Sequence, residues 1–130
     1  MIQEKHLVFV YGTLLQGLSN HVILAQARFL GTARTKELYA LYMDAFPKVI
    51  RDEPVSSIVG EIYLVDGPTL AWLDDLEDHP FQYRREQVLV IMDDGEETLA
   101  WIYFHPQPGG FLVAGGDLLA WLREQQDFED

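Results

Sequence analysis

From Ser57 to Val65 the chain reads as a strand whose two faces are both apolar. Ile58, Gly60, Ile62 and Leu64 share one face, and Val59, Glu61, Tyr63 and Val65 share the other, which is apolar except for the glutamate. A strand with one side in water alternates apolar and polar residues. One that is apolar on both sides is buried on both, inside a small barrel or beneath a helix. The rest of the chain must therefore supply cover in two directions.

The flanking segments offer it. Leu7 to Tyr11 is continuously β-branched or aromatic and reads as a strand that breaks at Gly12. Ser19-Asn20 offers an N-cap for a short helix carrying Val22, Ile23 and Leu24, with His21 expected to join that cap. Arg28 to Asp44 is strand-like with polar interruptions, and Pro47 precedes a further short run, Val49-Ile50. Asp66-Gly67-Pro68 opens a helix, with Asp66 as cap and Pro68 in the first turn, that runs to about Asp78. Tyr83 to Met92 and Thr98 to His105 read as strands joined by a hairpin at Asp93-Asp94-Gly95. Pro106 to Gly116 reads as a loop. Asp117 caps a last amphipathic helix bearing Leu118, Leu119, Trp121 and Leu122, and the tail from Asp127 to Asp130 is expected to fray. Strands outnumber helices, which predicts an α+β fold built on a small mixed β-barrel flanked by a few helices. At 130 residues the chain is expected to form one domain spanning residues 1–130.

The helix after Pro68 carries an acid on its inner side. At about 100° per residue, Leu70, Leu73, Leu76 and Glu77 fall in one arc, Asp75 and Asp78 point the other way, and Asp74 lies at the edge. A buried carboxylate has a raised pKa or a dedicated partner, and a glutamate so placed can take and return a proton near neutral pH. The alternative is that the helix ends at Leu76 and Glu77 turns out to water. The glycine turn presents the matching half of a site. A strand that breaks at Gly12 can aim backbone N–H groups into open space and hold an anion or an oxyanion.

Other residues bound the chemistry. The formal net charge of −12 repels phosphate backbones and anionic lipid, so neither nucleic acid nor a membrane is an expected partner. There is no cysteine, and the four histidines, His6, His21, His79 and His105, lack metal-ligand spacing. No metal and no cofactor are expected. The charged start, Met1 to His6, followed by a short apolar run, fits neither a signal peptide nor a membrane span, which predicts a soluble, cytoplasmic protein. Glu61 is expected to bond Arg84 or Arg85. Tyr11, Tyr63, Tyr83 and Tyr103 are expected to be core aromatics with satisfied hydroxyls. Oligomeric state is not assigned.

Taken together, these segments resemble the gamma-glutamylcyclotransferase-like family, in particular its gamma-glutamylamine cyclotransferase branch. The resemblance rests on Phe9-Val10-Tyr11-Gly12-Thr13-Leu14, Gly17 to Asn20-His21, and Phe46-Pro47-Lys48-Val49-Ile50. It continues through Val59-Gly60-Glu61-Ile62-Tyr63 and Leu73-Asp74-Asp75-Leu76-Glu77, then Tyr83 and Arg85, and covers the chain from Leu7 to about Tyr103. It implies a barrel with an anion-holding loop at Tyr11, Gly12, Thr13 and Leu14, Glu77 as acid/base, and Tyr83 and Tyr103 as pocket tyrosines. Pro106 to Gly116 has no counterpart in it.

The function this implies is cyclisation of a small-molecule gamma-glutamyl amide to 5-oxoproline and a free amine. The substrate carries its own nucleophile, so neither a metal nor a covalent enzyme intermediate is required. Because fold does not fix function, a non-catalytic small-molecule-binding protein on the same fold is the alternative. A third reading, a carboxylate-pair hydrolase, needs Glu61 and Glu77 across one cleft.

Overall fold

The computed structural model describes residues 4–129, with Met1 to Gln3 and Asp130 outside the described residues. Five strands close a barrel in the order β1-β5-β2-β6-β7: β1 (Lys5–Val10), β2 (Arg28–Thr35), β5 (Val59–Asp66), β6 (Arg84–Met92) and β7 (Glu97–Phe104). Every pairing is antiparallel except the closing one, where Val8 lies opposite Trp101 in parallel. A smaller sheet, β4-β3-β8, is formed by β3 (Ala40–Met43), β4 (Pro47–Ile50) and β8 (Phe111–Leu112). It is tied to the barrel where the His105 amide donates to Val49 O at 2.9 Å.

The doubly apolar strand is β5, flanked by β1 and β2 and touched by helix α1 (Gly67–Leu76). Both expected forms of cover are present, and Ile58, Gly60, Glu61, Ile62, Tyr63 and Val65 are all buried. Gly60 is required by contact. A Cβ there would lie 2.2 Å from the Val10 carbonyl oxygen, at the point where β1 leaves the barrel. The Asp93–Gly95 hairpin forms as expected, closed by the Gly95 amide on Met92 O at 2.8 Å.

The helix caps are partly as expected. Asp66, the last residue of β5, accepts from the Thr69 amide at 2.8 Å and starts α1. Ala120 N donates to Asp117 at the start of α2 (Leu118–Glu129), whose backbone stays helical through most of the tail expected to fray. The segment after Asn20 is a 3-10 helix, His21–Leu24, without a side-chain cap. The Asn20 amide instead donates to Thr13 Oγ1 at 2.8 Å, and His21 donates through Nδ1 to Leu14 O at 2.9 Å. Both side chains brace the glycine turn.

Three further expectations are corrected. Arg28 to Asp44 is two strands in different sheets, divided at the buried Thr35. Its hydroxyl donates to Glu37 O at 2.8 Å and accepts from the Ile58 amide at 2.9 Å. The loop from Pro106 to Gly116 contains β8, which pairs Leu112 with Tyr42 and Phe111 with Met43. Helix α1 stops at Leu76 rather than near Asp78, because Asp78 adopts a left-handed conformation with φ 53°. No described helix is long and apolar enough to cross a membrane.

Gly60→Ala is expected to lose about 3 kcal/mol of stability, since main chain rather than a flexible side chain meets the new methyl. Gly67→Ala, where a Cβ meets nothing within 4 Å, is expected to stay within about 0.5 kcal/mol of the parent. Urea midpoints of the two variants check the contrast.

Candidate active site

A cavity of about 350 Å³ opens where four elements meet. The end of β1 and the glycine turn give Phe9 to Leu14; the approach to β4 gives Ala45 to Pro47; the end of α1 gives Leu76 and Glu77; Gln82, Tyr83 and Tyr103 complete it with Asn20. All seven residues expected to form the site, Tyr11, Gly12, Thr13, Leu14, Glu77, Tyr83 and Tyr103, line this one cavity.

The turn is shaped by how its carbonyls are used. Gly12 O accepts from the Leu15 amide at 3.0 Å and Thr13 O from the Asn20 amide at 2.9 Å. In a trans peptide C=O and N–H point opposite ways. With those carbonyls directed into the loop, the Thr13 and Leu14 N–H groups face the other side, and neither has a protein acceptor among the described residues. Gly12 has no positive φ. Its requirement is space, since a Cβ would stand 2.9 Å from the Pro47 ring.

Glu77 follows the last turn of α1 and is half-buried in the cavity wall. Both sequence readings are therefore right in part: the helix ends at Leu76, yet Glu77 does not turn out to water. Leu76 departs from the expected inner face and is 40% exposed at the cavity. Burial, with no cation to offset it, raises the Glu77 pKa from 4.5 to about 7. The phenols of Tyr11, Tyr83 and Tyr103 are pushed up by burial first, with the Glu77 charge adding to each.

Asp74, one turn earlier, behaves in the opposite way. Burial pushes its pKa up, but hydrogen bonds from Arg85 and Tyr103 outweigh that and hold it below the usual range. Arg85 donates to it at 2.8 and 3.2 Å, Tyr103 OH at 2.6 Å, and the guanidinium stacks 4.2 Å from the Trp101 ring. The sequence reading missed this cluster. Its signals were Asp74 at the edge of the helical arc and the presence of Asp74, Arg85 and Tyr103 among the residues of the resemblance, neither of which paired them.

Glu61 is structural, but its expected partners are wrong. It accepts from the Gln16 amide and from Tyr63 OH, each at 3.0 Å, and so pins the loop beyond the glycine turn. Arg84 and Arg85 lie on β6, which β2 separates from β5. Glu61 is absent from the cavity wall, so the structure does not bring the carboxylate pair together. The four tyrosines all have bonded hydroxyls, as expected. Among the described residues no three His, Asp or Glu side chains cluster as a metal site. A second cavity of about 450 Å³, flanked by Arg51, Arg84 and His105, shares Gln82 with the first.

The family model described as gamma-glutamyl cyclotransferase, AIG2-like, matches residues 8–123. The chain belongs to this family of enzymes. A Methanocaldococcus jannaschii protein provisionally named gamma-glutamylcyclotransferase is 49% identical over 111 residues, covering 85% of this chain and 92% of its own. Gamma-glutamylaminecyclotransferase A of Danio rerio is 38% identical over 108 residues, covering 74% of this chain and 66% of its own. The crystal structure of an AIG2-like protein from Mus musculus superposes with a TM-score of 0.78 at 29% identity, covering 88% of each chain. The AIG2-like fold is thus common to the matched structure and to this barrel.

The raised Glu77 pKa carries a stability consequence. Between 4.5 and about 7 the folded protein holds the Glu77 proton and the unfolded chain does not, so this group lowers stability as pH rises through that window. The penalty is absent below the window and complete above it. Glu77→Gln removes it, so the variant is expected to gain about 1 to 3 kcal/mol over the parent on going from about pH 4.5 to about pH 8. Urea unfolding of both proteins at the two pH values checks this, and a pH-independent difference counts against the assignment.

Proposed function

We propose that this cavity cyclises gamma-glutamyl amides to 5-oxoproline and a free amine, with Glu77 as general acid and base. The observation that carries the proposal is an acid poised near neutrality by burial alone, facing one cavity with two unpartnered backbone N–H groups. The Thr13 and Leu14 N–H groups hold the substrate's α-carboxylate or the carbonyl oxygen that becomes negative. Ionised Glu77 takes a proton from the substrate's α-ammonium. The freed amine attacks the side-chain carbonyl carbon, a C–N bond forms and closes the ring, and negative charge gathers on the oxygen. Glu77 then returns its proton to the amide nitrogen and the original C–N bond breaks; the ring nitrogen gives up its second proton through Glu77, and the amine departs as an ammonium. The departing half runs past Gln82, the residue common to both cavities.

Two effects share the acceleration. Proton transfer by a positioned acid typically contributes ~10² to 10⁴-fold. Folding the substrate so that its own amine faces its own carbonyl supplies proximity without a second bound reactant.

Glu77→Gln is expected to keep the fold and lower 5-oxoproline release from a gamma-glutamyl alkylamide by about 10² to 10⁴-fold. Because the free enzyme must present ionised Glu77, kcat/KM of the parent is expected to rise about tenfold per pH unit below about 7 and to level above it. Release at the parental rate by the variant removes Glu77 from the mechanism. Binding without product in the parent favours the pocket-protein reading.

A further inference from the structure

The hydrogen bonds of the cavity tyrosines fix which way each phenol is polarised. A phenol has one proton and two lone pairs, whereas a carbonyl or carboxylate oxygen only accepts. Tyr11 OH lies 2.7 Å from Tyr103 O, Tyr83 OH 3.0 Å from Pro47 O, and Tyr103 OH 2.6 Å from Asp74 Oδ1. Each phenol must therefore donate to the protein, and none has a proton left for a ligand. Tyr83 and Tyr103 keep lone pairs in the wall that contains Glu77.

The cavity thus holds two groups of fixed hydrogen-bond polarity. The Thr13 and Leu14 N–H groups can only donate, and the Tyr83 and Tyr103 oxygens can only accept, whereas the Asn20 and Gln82 amides in the lining can do either. A ligand carboxylate finds partners at the turn and none at the phenols. An ammonium, with three donors and no acceptor, finds the reverse. The division depends on Asp74. As an ionised carboxylate clamped at two points by Arg85, it cannot donate, so the Tyr103 proton cannot turn toward the cavity. A neutral amide at this position has an NH₂ that can face Tyr103 and reverse the bond.

Resting on the reading of the site as one for gamma-glutamyl amides, we propose that Asp74 is a positioning residue. By holding the Tyr103 proton it makes the Tyr103 oxygen an acceptor which, with the Tyr83 oxygen, receives the substrate's α-ammonium. The amine is thereby held beside Glu77 before it gives up its proton.

Calorimetric titration in the Glu77→Gln background tests this with turnover suppressed. The two ligands are gamma-glutamyl butylamide and N-butylglutaramate, which differ only in the α-ammonium. The Glu77→Gln protein is expected to prefer the ammonium-bearing ligand. Adding Tyr103→Phe, which keeps the ring, is expected to reduce that preference about tenfold, as for loss of a hydrogen bond to a charged group. Adding Asp74→Asn is expected to reduce it about threefold or more. A purely structural Asp74 weakens both ligands alike and leaves the ratio unchanged, and that outcome overturns the proposal. So does equal affinity for the two ligands before either change is added. Release of 5-oxoproline by the parent is scored separately. A parent that releases it while the ratio stays fixed overturns only the positioning role. A parent that releases none while Tyr103→Phe still lowers the ratio overturns only the cyclisation.

Discussion

The single parallel pairing in the barrel, Val8 beside Trp101, decides where everything else can be. Parallel neighbours run the same way, so the C-terminal ends of β1 and β7 emerge at one rim. That is why the glycine turn and Tyr103 meet, and why Tyr11 OH reaches Tyr103 O. β5 runs antiparallel to β1, with Asp66 opposite Lys5, and so delivers the chain to the far rim. Helix α1 then has to return. Its ten residues climb about 15 Å at 1.5 Å each, which covers most of the length of β1 and brings Glu77 to the rim where the turn lies.

Three acids sit in or beside this core, and each meets the cost of burial differently. Glu61 is satisfied by one amide and one phenol and holds a loop. Asp74 is satisfied by a bidentate guanidinium and a phenol, and its ionised form is favoured. Glu77 has neither, and burial alone sets its pKa near 7. An uncompensated carboxylate is the state that proton transfer needs and that folding disfavours. Among these three acids that cost is confined to Glu77.

What was legible in the sequence was local or periodic. The two-faced pattern of β5, the Asp66 cap, the hairpin at Gly95 and the inward set of Glu77 each follow from residues within one or two turns. What was not legible depends on strand order. Glu61 and Arg85 looked like partners because their charges oppose, but β2 lies between their strands, and Arg85 finds Asp74 only through the return of α1. Leu76 satisfied the helical period, yet the helix ends there and a cavity replaces the core it would have met. The 3-10 helix after Asn20 was misread because Asn20 and His21 spend their side chains on Thr13 and Leu14. The resemblance to known sequences gathered the site residues, and the structure adds the direction of each hydrogen bond among them.

That direction bears on what a net charge of −12 can say about a ligand. The summed field favours cations everywhere on the surface and orients nothing. In the proposed site the sorting falls at short range to groups with no net charge, the backbone N–H groups of the glycine turn and the phenol oxygens of Tyr83 and Tyr103. Such groups are worth more where water is excluded, since an unmatched donor or acceptor there finds no substitute partner. In the proposed site a zwitterionic head that satisfies both sets has its amine beside Glu77, whose burial no cation offsets. Selection of the ligand and placement of its nucleophile then follow from the same arrangement of protons.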